Sequence, residues 1–211
     1  DGSSDRSVEI LEKMSAADSR IRIVSNACNM GRLEARRNGV LSSKGEYIFF
    51  LDADDRITPT VCEEAYKEAI TSGADIVHCS MEVEYYTEVS LEHMQWRKKY
   101  LAPYTGTLRD EGIMESAFCT QKYTTLLIGK LFQRDLCLKA HSCIPSIRLN
   151  AGEDILVFFY IAYYANCYVG LDTEGCYLYC FGRGISNLDN MDIDTFEKYA
   201  SMGKCESFVW E

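Results

Sequence analysis

Two periodicities alternate along residues 5–81, and this alternation limits the fold more than any other feature of the chain. In "SVEILEKMSAAD" the apolar residues Val8, Leu11 and Met14 recur at helical spacing, with Ser4 or Asp5 standing where a cap belongs. "IRIV" (21–24) is β-branched and alternating, which predicts a strand. A loop over 26–31 leads to "RLEARRNGVLSS", a predicted helix with Gly45 after its end. "EYIFFL" (46–51) is a continuous apolar run of strand length, the kind a parallel sheet buries on both faces. Thr58-Pro59 opens a further helix, with Pro at its first position, and that helix stops near Gly73. "ADIVHCSM" is the next strand. This order predicts an α/β fold built on a doubly wound, mostly parallel sheet flanked by helices.

The pattern loosens after residue 81. Residues 82–106 are polar and aromatic and suit a mobile flap or an inserted segment. Their rings, among them Tyr85, Tyr86, Trp96 and Tyr100, fit core packing or stacking on sugar faces, core packing being the commoner job. Residues 110–119 and 122–138 read as helical, and "EDILVFFYIAYYA" (153–165) as a buried helix, apolar nearly all round. "CYVGL" and "GCYLYCF" read as two short strands. The chain of 211 residues is long enough for one sizeable domain, read here as a first part over residues 1–81 and a C-terminal part over 82–211 of the same globular domain.

A net charge of −10 opposes non-specific binding to nucleic acid, yet allows a phosphate ligand where a metal or a few arginines reverse the local field. Ten cysteines form no C-x-x-C pair, and Cys79, Cys119, Cys167 and Cys180 lie in apolar contexts. Most read as small buried hydrophobes in a reducing cytoplasm, with a disulfide framework as the alternative. Zinc is disfavoured because His78, His93 and His141 are scattered. No apolar run approaches the length of a membrane span, and no secretory or transit segment is visible. The chain begins at Asp1 on "DGSSD", which reads as a turn that should follow a strand; the expectation is a natural chain that starts earlier and continues after Trp210.

"YIFFLDADD" (47–55) ends a hydrophobic strand on Asp52, Asp54 and Asp55. In open α/β sheets, ligands bind beyond the carboxyl ends of strands. Carboxylates this close destabilise one another unless a cation sits among them, and hard divalent cations take oxygen ligands. Alternate residues of an extended chain point the same way, so Asp52 and Asp54 can share a face. The plain alternative is that Asp55 or Thr58 caps the next helix and the other acids are solvated. The "DGSSD" turn can face a nucleotide, though such turns are common. Arg36 and Arg37 suit either a ligand or a basic surface helix. "GED" (152–154) sets two acids at a helix start, where they either cap it or supply a base.

Taken in order, "DGSSD", "N-x-G-x-x-x-ARRNG", "G-EYIFFLDADD", "GKLFQRDL", "GED" and "YLYCFGRGIS" resemble the family 2 glycosyltransferases of bacteria, which have the GT-A fold. The resemblance covers nearly the whole chain. It implies that Asp1 helps hold the nucleotide base, that Arg36 lies near the nucleotide and that Asp52 lies near the ribose. It further implies that Asp54 binds the metal, Mg2+ or Mn2+, and that Asp154, with Glu153 beside it, is the catalytic base. Arg183 and Ser186 fall in a segment like the family's R-x-G-S-I-S, one residue tighter here. Arg37 stands where the family usually has Asn. The family's leading strand and P-x-Y-N stretch are missing, which implies an open sheet edge and an incomplete base pocket.

The implied activity is inverting transfer of a sugar from a nucleotide-diphosphate sugar donor to a saccharide or lipid-linked saccharide acceptor, in bacterial surface polysaccharide or glycoconjugate synthesis. The expected setting is the cytoplasm, extending to peripheral association with the inner face of the membrane. Two rivals remain. One is a truncated, non-catalytic module, whose exposed edge would favour a homodimer. The other is a metal-dependent phosphohydrolase, for which no nucleophile or further ligand set is evident.

Overall fold

The structure, a computed structural model, describes residues 1–149, 151–173 and 176–183. In chain order its elements are α1 (Ser7–Ala17), α2 (Arg32–Ser42), β1 (Tyr47–Phe49), β2 (Arg56–Ile57), α3 (Val61–Ser72), β3 (Ile76–Cys79), β4 (Met81–Tyr85), α4 (Leu91–Leu101), β5 (Gly106–Arg109), α5 (Glu111–Met114, running on as a π-helical turn over Glu115–Cys119), β6 (Lys130–Gln133), α6 (Arg134–Cys143), α7 (Glu153–Tyr164), β7 (Cys167–Leu171) and β8 (Tyr177–Phe181). They form two sheets, one ordered β1-β6-β3-β7-β5 and a smaller one ordered β2-β8-β4.

The α/β class stands, but the sheet is mixed rather than mostly parallel. Among the strands of the described residues only β3–β7 and β4–β8 pair in parallel; β6 lies between β1 and β3 and runs against both. Parallel neighbours need a long crossover between them. The regular strand–helix alternation ends near residue 81, and β6 is reached through an irregular stretch instead.

Side-chain alternation along the central strands builds the core. Ile76, Phe132 and Tyr168 point into a cluster with Leu33, Leu136, Leu156 and Phe158, which come from α2, α6 and α7. Their neighbours Val77, Leu131 and Val169 point the other way, onto Val61, Ala65 and Ala69 of α3. A period of two thus feeds two cores, with helices on both faces.

Several expectations are corrected. "IRIV" forms no strand: the Ile21 N–H donates to the Asp18 carbonyl (3.0 Å) and the Ser15 hydroxyl donates to the Ile21 carbonyl (2.9 Å), so the first residue of the segment is tied to the end of α1 and not to a ladder. "ADIVHCSM" is divided at Ser80 between the two sheets. Residues 122–138 are not one helix. Gly129, at φ 69°, ends an irregular stretch, and Leu131 and Phe132 then alternate as a strand before α6 begins. The segment 82–106 holds β4 and α4. Pro59 precedes the cap Thr60 instead of opening α3. Among the described residues β1 and β5 are the edges of the larger sheet, and α1 buries no residue, leaving Val8, Ile10, Leu11 and Met14 exposed.

All nine described cysteines are free, and Cys119 is exposed, against expectation. Among the described residues no helix is long and apolar enough to cross a membrane.

The β5–β7 edge depends on one close approach. Gly170 pairs with Gly106, and a Cβ on Gly170 would lie 1.8 Å from the Tyr104 carbonyl oxygen. Backbone cannot yield as a side-chain tip can. Gly170→Ala is expected to lower stability by about 3 kcal/mol in urea unfolding; an unchanged midpoint would show that this edge relaxes freely.

Candidate functional site

The acid loop follows β1. Ala53 and Asp54 form a tight turn closed by the Asp55 N–H, which donates to the Asp52 carbonyl (3.1 Å). The expected extended geometry is therefore replaced by a turn, yet the acids still converge: one carboxylate oxygen from each of Asp52, Asp54 and Asp55 lies within 4.8 Å of the others. The three acids are not equivalent. Asp55 is buried and accepts from the Tyr177 hydroxyl (2.6 Å) and the Cys180 N–H (2.8 Å). Burial raises its pKa, and these two donors partly offset the shift. Asp55 thus ties the loop to β8 and caps no helix. Asp54, partly exposed, has no hydrogen-bond or ion-pair partner among the described residues. A free carboxylate beside two others, all hard oxygen donors, suits a divalent cation.

Arg36 connects this loop to α7. Its Nη2 donates to Asp52 Oδ1 (3.0 Å), and its Nη1 reaches Glu153 Oε1 (3.0 Å) and Asp154 Oδ1 (2.7 Å). The side chain is only 11% exposed, which rules out a basic surface helix at this position. Arg32, one turn earlier on the same face of α2, adds a contact from Nε to Glu153 Oε1 (2.8 Å). Glu153 is 1% exposed, so its charge is held by guanidinium groups and it makes no side-chain cap of α7. Arg37 is turned away, bound to Glu34 (2.8 Å) and to the Ile144 carbonyl (2.7 Å).

Asp1 sits at the head of α2. Its carboxylate accepts from Asn26 Nδ2 (2.8 Å), the Met30 N–H (2.9 Å) and the Gly31 N–H (2.9 Å). Asn38 in turn donates to Asn26 (2.8 Å). Asp1 thereby fixes the loop that leads into α2, the helix from which Arg32 and Arg36 project. Arg183 makes its contact elsewhere, with its guanidinium carbon 4.0 Å from the centre of the Tyr86 ring. Ser186 lies outside the described residues.

Burial raises the Asp154 carboxyl to about 6; Arg36 opposes the shift, while Glu153 and Asp52 add to it. Lys130, on β6, is fully buried, donates to the Leu126 carbonyl (2.6 Å) and rests 5.4 Å from the centre of the Phe158 ring, one turn after Asp154. Desolvation brings its pKa down to about 7, and Asp154 acts to raise it. His78, its cross-strand partner, is held far below its usual pKa by burial and by Lys130. An open groove of about 600 Å³ between β1 and α3 contains none of these acids.

Sequence reasoning therefore placed Arg36, Asp52, Glu153 and Asp154, which meet directly, and Asp54, one turn from Asp52. It missed Arg32, Tyr177 and Lys130. The spacing of four between Arg32 and Arg36 was a legible signal; nothing local marks Tyr177, whose role depends on β8 meeting the acid loop.

The Glycosyl transferase family 2 profile matches residues 1–135. The chain is 32% identical over 143 residues to a cholesterol galactosyltransferase of Borreliella burgdorferi, covering 66% of this chain and 39% of that protein. It is 39% identical over 79 residues to the uncharacterized glycosyltransferase EpsJ of Bacillus subtilis, covering 37% of this chain and 23% of that one. The chain thus spans less than half the length of these relatives. Its fold superposes on S. aureus TarS 1–349, solved with UDP-GlcNAc, with a TM-score of 0.71 at 17% identity, over 98% of this chain and 55% of that one. On the matched profile and this fold, the chain belongs to glycosyl transferase family 2.

Proposed function

We propose that this chain carries the donor site and catalytic base of an inverting glycosyltransferase, which moves a sugar from a nucleotide-diphosphate sugar to an acceptor hydroxyl. The observation that carries the reading is Arg36 bonded at once to Asp52 of the acid loop and to Asp154 at the head of α7. The acid loop proposed to hold the metal and the proposed base are thereby side by side, which supports the reading. The nucleotide-sugar donor is supported by TarS, solved with UDP-GlcNAc and with UDP. A saccharide or lipid-linked saccharide acceptor, and a place in bacterial surface polysaccharide synthesis at the inner face of the membrane, belong to the same proposal.

In this reading Asp54, with Asp52 beside it, holds Mg2+ or Mn2+. The cation supplies charge neutralisation to the diphosphate leaving group. Asp1 orders the loop before α2, next to which the nucleotide base would lie. Asp154 accepts the proton of the attacking acceptor hydroxyl at its carboxylate oxygen. A pKa near 6 leaves it ionised at neutral pH and still basic enough to take that proton. A single base opposite the leaving group gives inversion. Arg36 and Arg32 position the base by holding Asp154 and Glu153 at the start of α7.

Two outcomes are expected. Asp54→Ala loses Mn2+-dependent binding of UDP in calorimetry, while Asp154→Asn keeps that binding and loses transfer by about a thousandfold or more. Unchanged metal-dependent affinity in the first, or surviving transfer in the second, removes that residue from its role.

A stability measurement tests the environment of the base independently of turnover. Asp154 binds its proton more tightly in the folded chain (about 6) than at the ordinary carboxylate value of 3.8. The folded state is favoured by protonation below that lower value, and the benefit is lost as pH rises through about 6. Asp154→Asn removes this dependence. Its unfolding free energy minus that of the parent should therefore be larger at pH 8 than at pH 4.5 in urea titrations. A constant difference would show that Asp154 is solvated.

A further inference from the structure

The aromatic residues of segment 82–106 divide into two groups. Tyr85 packs against Phe181 (centroids 5.7 Å apart) and belongs to the sheet. Trp96 and Tyr100, one turn apart on α4, do not: they stay 55% and 38% exposed. Their rings stack on each other, with centroids 5.1 Å apart and planes 9° from parallel.

The pair is held from beneath. Ser90 caps α4 by accepting from the His93 N–H (3.2 Å). His93 packs on both Phe181 (5.5 Å) and Trp96 (5.8 Å). Arg97 lies over Phe181 (4.1 Å), Tyr179 (5.7 Å) and Trp96 (5.7 Å), and its Nη2 contacts His93 Nε2 (3.0 Å). Trp96 is therefore backed by this built layer and by Tyr100, and the far face of the half-exposed Tyr100 ring ends the stack.

That layer continues to the acid loop. Tyr179 touches Arg97 and precedes Cys180, whose N–H binds Asp55. Burial raises the pKa of the Tyr179 hydroxyl, with Arg97 opposing the shift and Asp55, Asp54 and Asp52 adding to it. The path from the aspartates to Trp96 thus runs through two packed side chains.

Size and chemistry select the occupant. A fully enclosed Trp or Tyr buries about 150–250 Å², so these two half-exposed rings offer about 200 Å². A stable protein partner needs about 800 Å² on each side. The exposed Glu92, Gln95, Lys98 and Lys99 interrupt the surface around the rings, leaving no apolar face wide enough to lie in a bilayer. A pyranose presents an apolar C–H face of ring size, edged by hydroxyls that Gln95 and Lys99 can meet. We propose that the outer face of this stack, presented by Tyr100 and backed by Trp96, forms a stacking platform for a sugar ring of the acceptor, a proposal that rests on the transferase reading for the identity of that acceptor.

Trp96 supplies its own probe, since the only other tryptophan is Trp210. In the full chain carrying Trp210→Phe, titration with cellotetraose, chitotetraose or a β-galactotetraose should change Trp96 emission saturably below about 10 mM, with no donor present. Calorimetry should show Tyr100→Ala and Trp96→Ala weakening the responding sugar at least about tenfold, with Trp96→Phe within about threefold of the parent. No saturable response to any of the three, or a response only to anionic phospholipid vesicles, overturns the platform. UDP with Mn2+ is titrated in parallel. Sugar binding without UDP binding sinks the transferase reading and leaves the platform standing; UDP binding without sugar binding sinks the platform alone.

Discussion

The arrangement of the site depends on one guanidinium. Arg36 is almost enclosed, and its donors go to carboxylates from two regions far apart in sequence, the acid loop and the head of α7. Removing one member of a buried, hydrogen-bonded ion pair costs about 3–5 kcal/mol, because the partner stays buried and unpaired. Removing Arg36 would leave Glu153 and Asp154 with only Arg32 among the guanidinium groups that hold them. The same bonds orient α7, whose apolar residues Leu156, Phe158 and Ile161 fill the larger core. The geometry of the proposed site and the packing of the core are coupled through that helix.

The acid loop illustrates how a cluster of like charges is made tolerable. Tyr177 donates its hydroxyl to Asp55 and accepts the Asp52 N–H at 3.3 Å, so one ring fixes both ends of the turn. Asp55 is spent on structure, Asp52 on Arg36, and Asp54 alone remains uncommitted. The smaller sheet has a functional consequence here: β8 contributes Tyr177 and Cys180, and β4, its parallel partner, carries α4 alongside.

How much of this was legible follows from range. Elements specified by their own sequence were read well: α2, α3 with Gly73 in the left-handed region behind it, and α7 with its all-round apolar surface. The acids, Arg36 and "GED" were legible as an ordered set, since each carries chemistry in its side chain. Strand direction was not, because β6 runs antiparallel only by virtue of its position between β1 and β3. "IRIV" failed for a related reason: β-propensity is a preference for a pleated surface with neighbours, and the backbone groups of Ile21 are tied to the end of α1 instead. Lys130 and Tyr177 could not be singled out, because a lysine in "GKLFQ" becomes unusual only once it is fully buried.

Charge balance gives the acid set a direction. Asp52, Asp54, Glu153 and Asp154 bring four negative charges against the two of Arg32 and Arg36, an excess of two. At 4 Å and an effective dielectric of 20, one unpaired pair of like charges costs about 4 kcal/mol. Such a site repels a diphosphate unless a divalent cation accompanies it, so the donor and the metal of the proposed reaction would bind as one neutralising unit. Burial is the main reason why Asp154 holds its proton more tightly than an ordinary carboxyl group despite touching Arg36, and the same excess adds to the shift. Its neighbours Glu153 and Asp52 compete for that guanidinium, and burial removes the water that would otherwise solvate the charge. A carboxylate in that position relieves strain in the site by accepting a proton, which is the property a general base for a sugar hydroxyl requires.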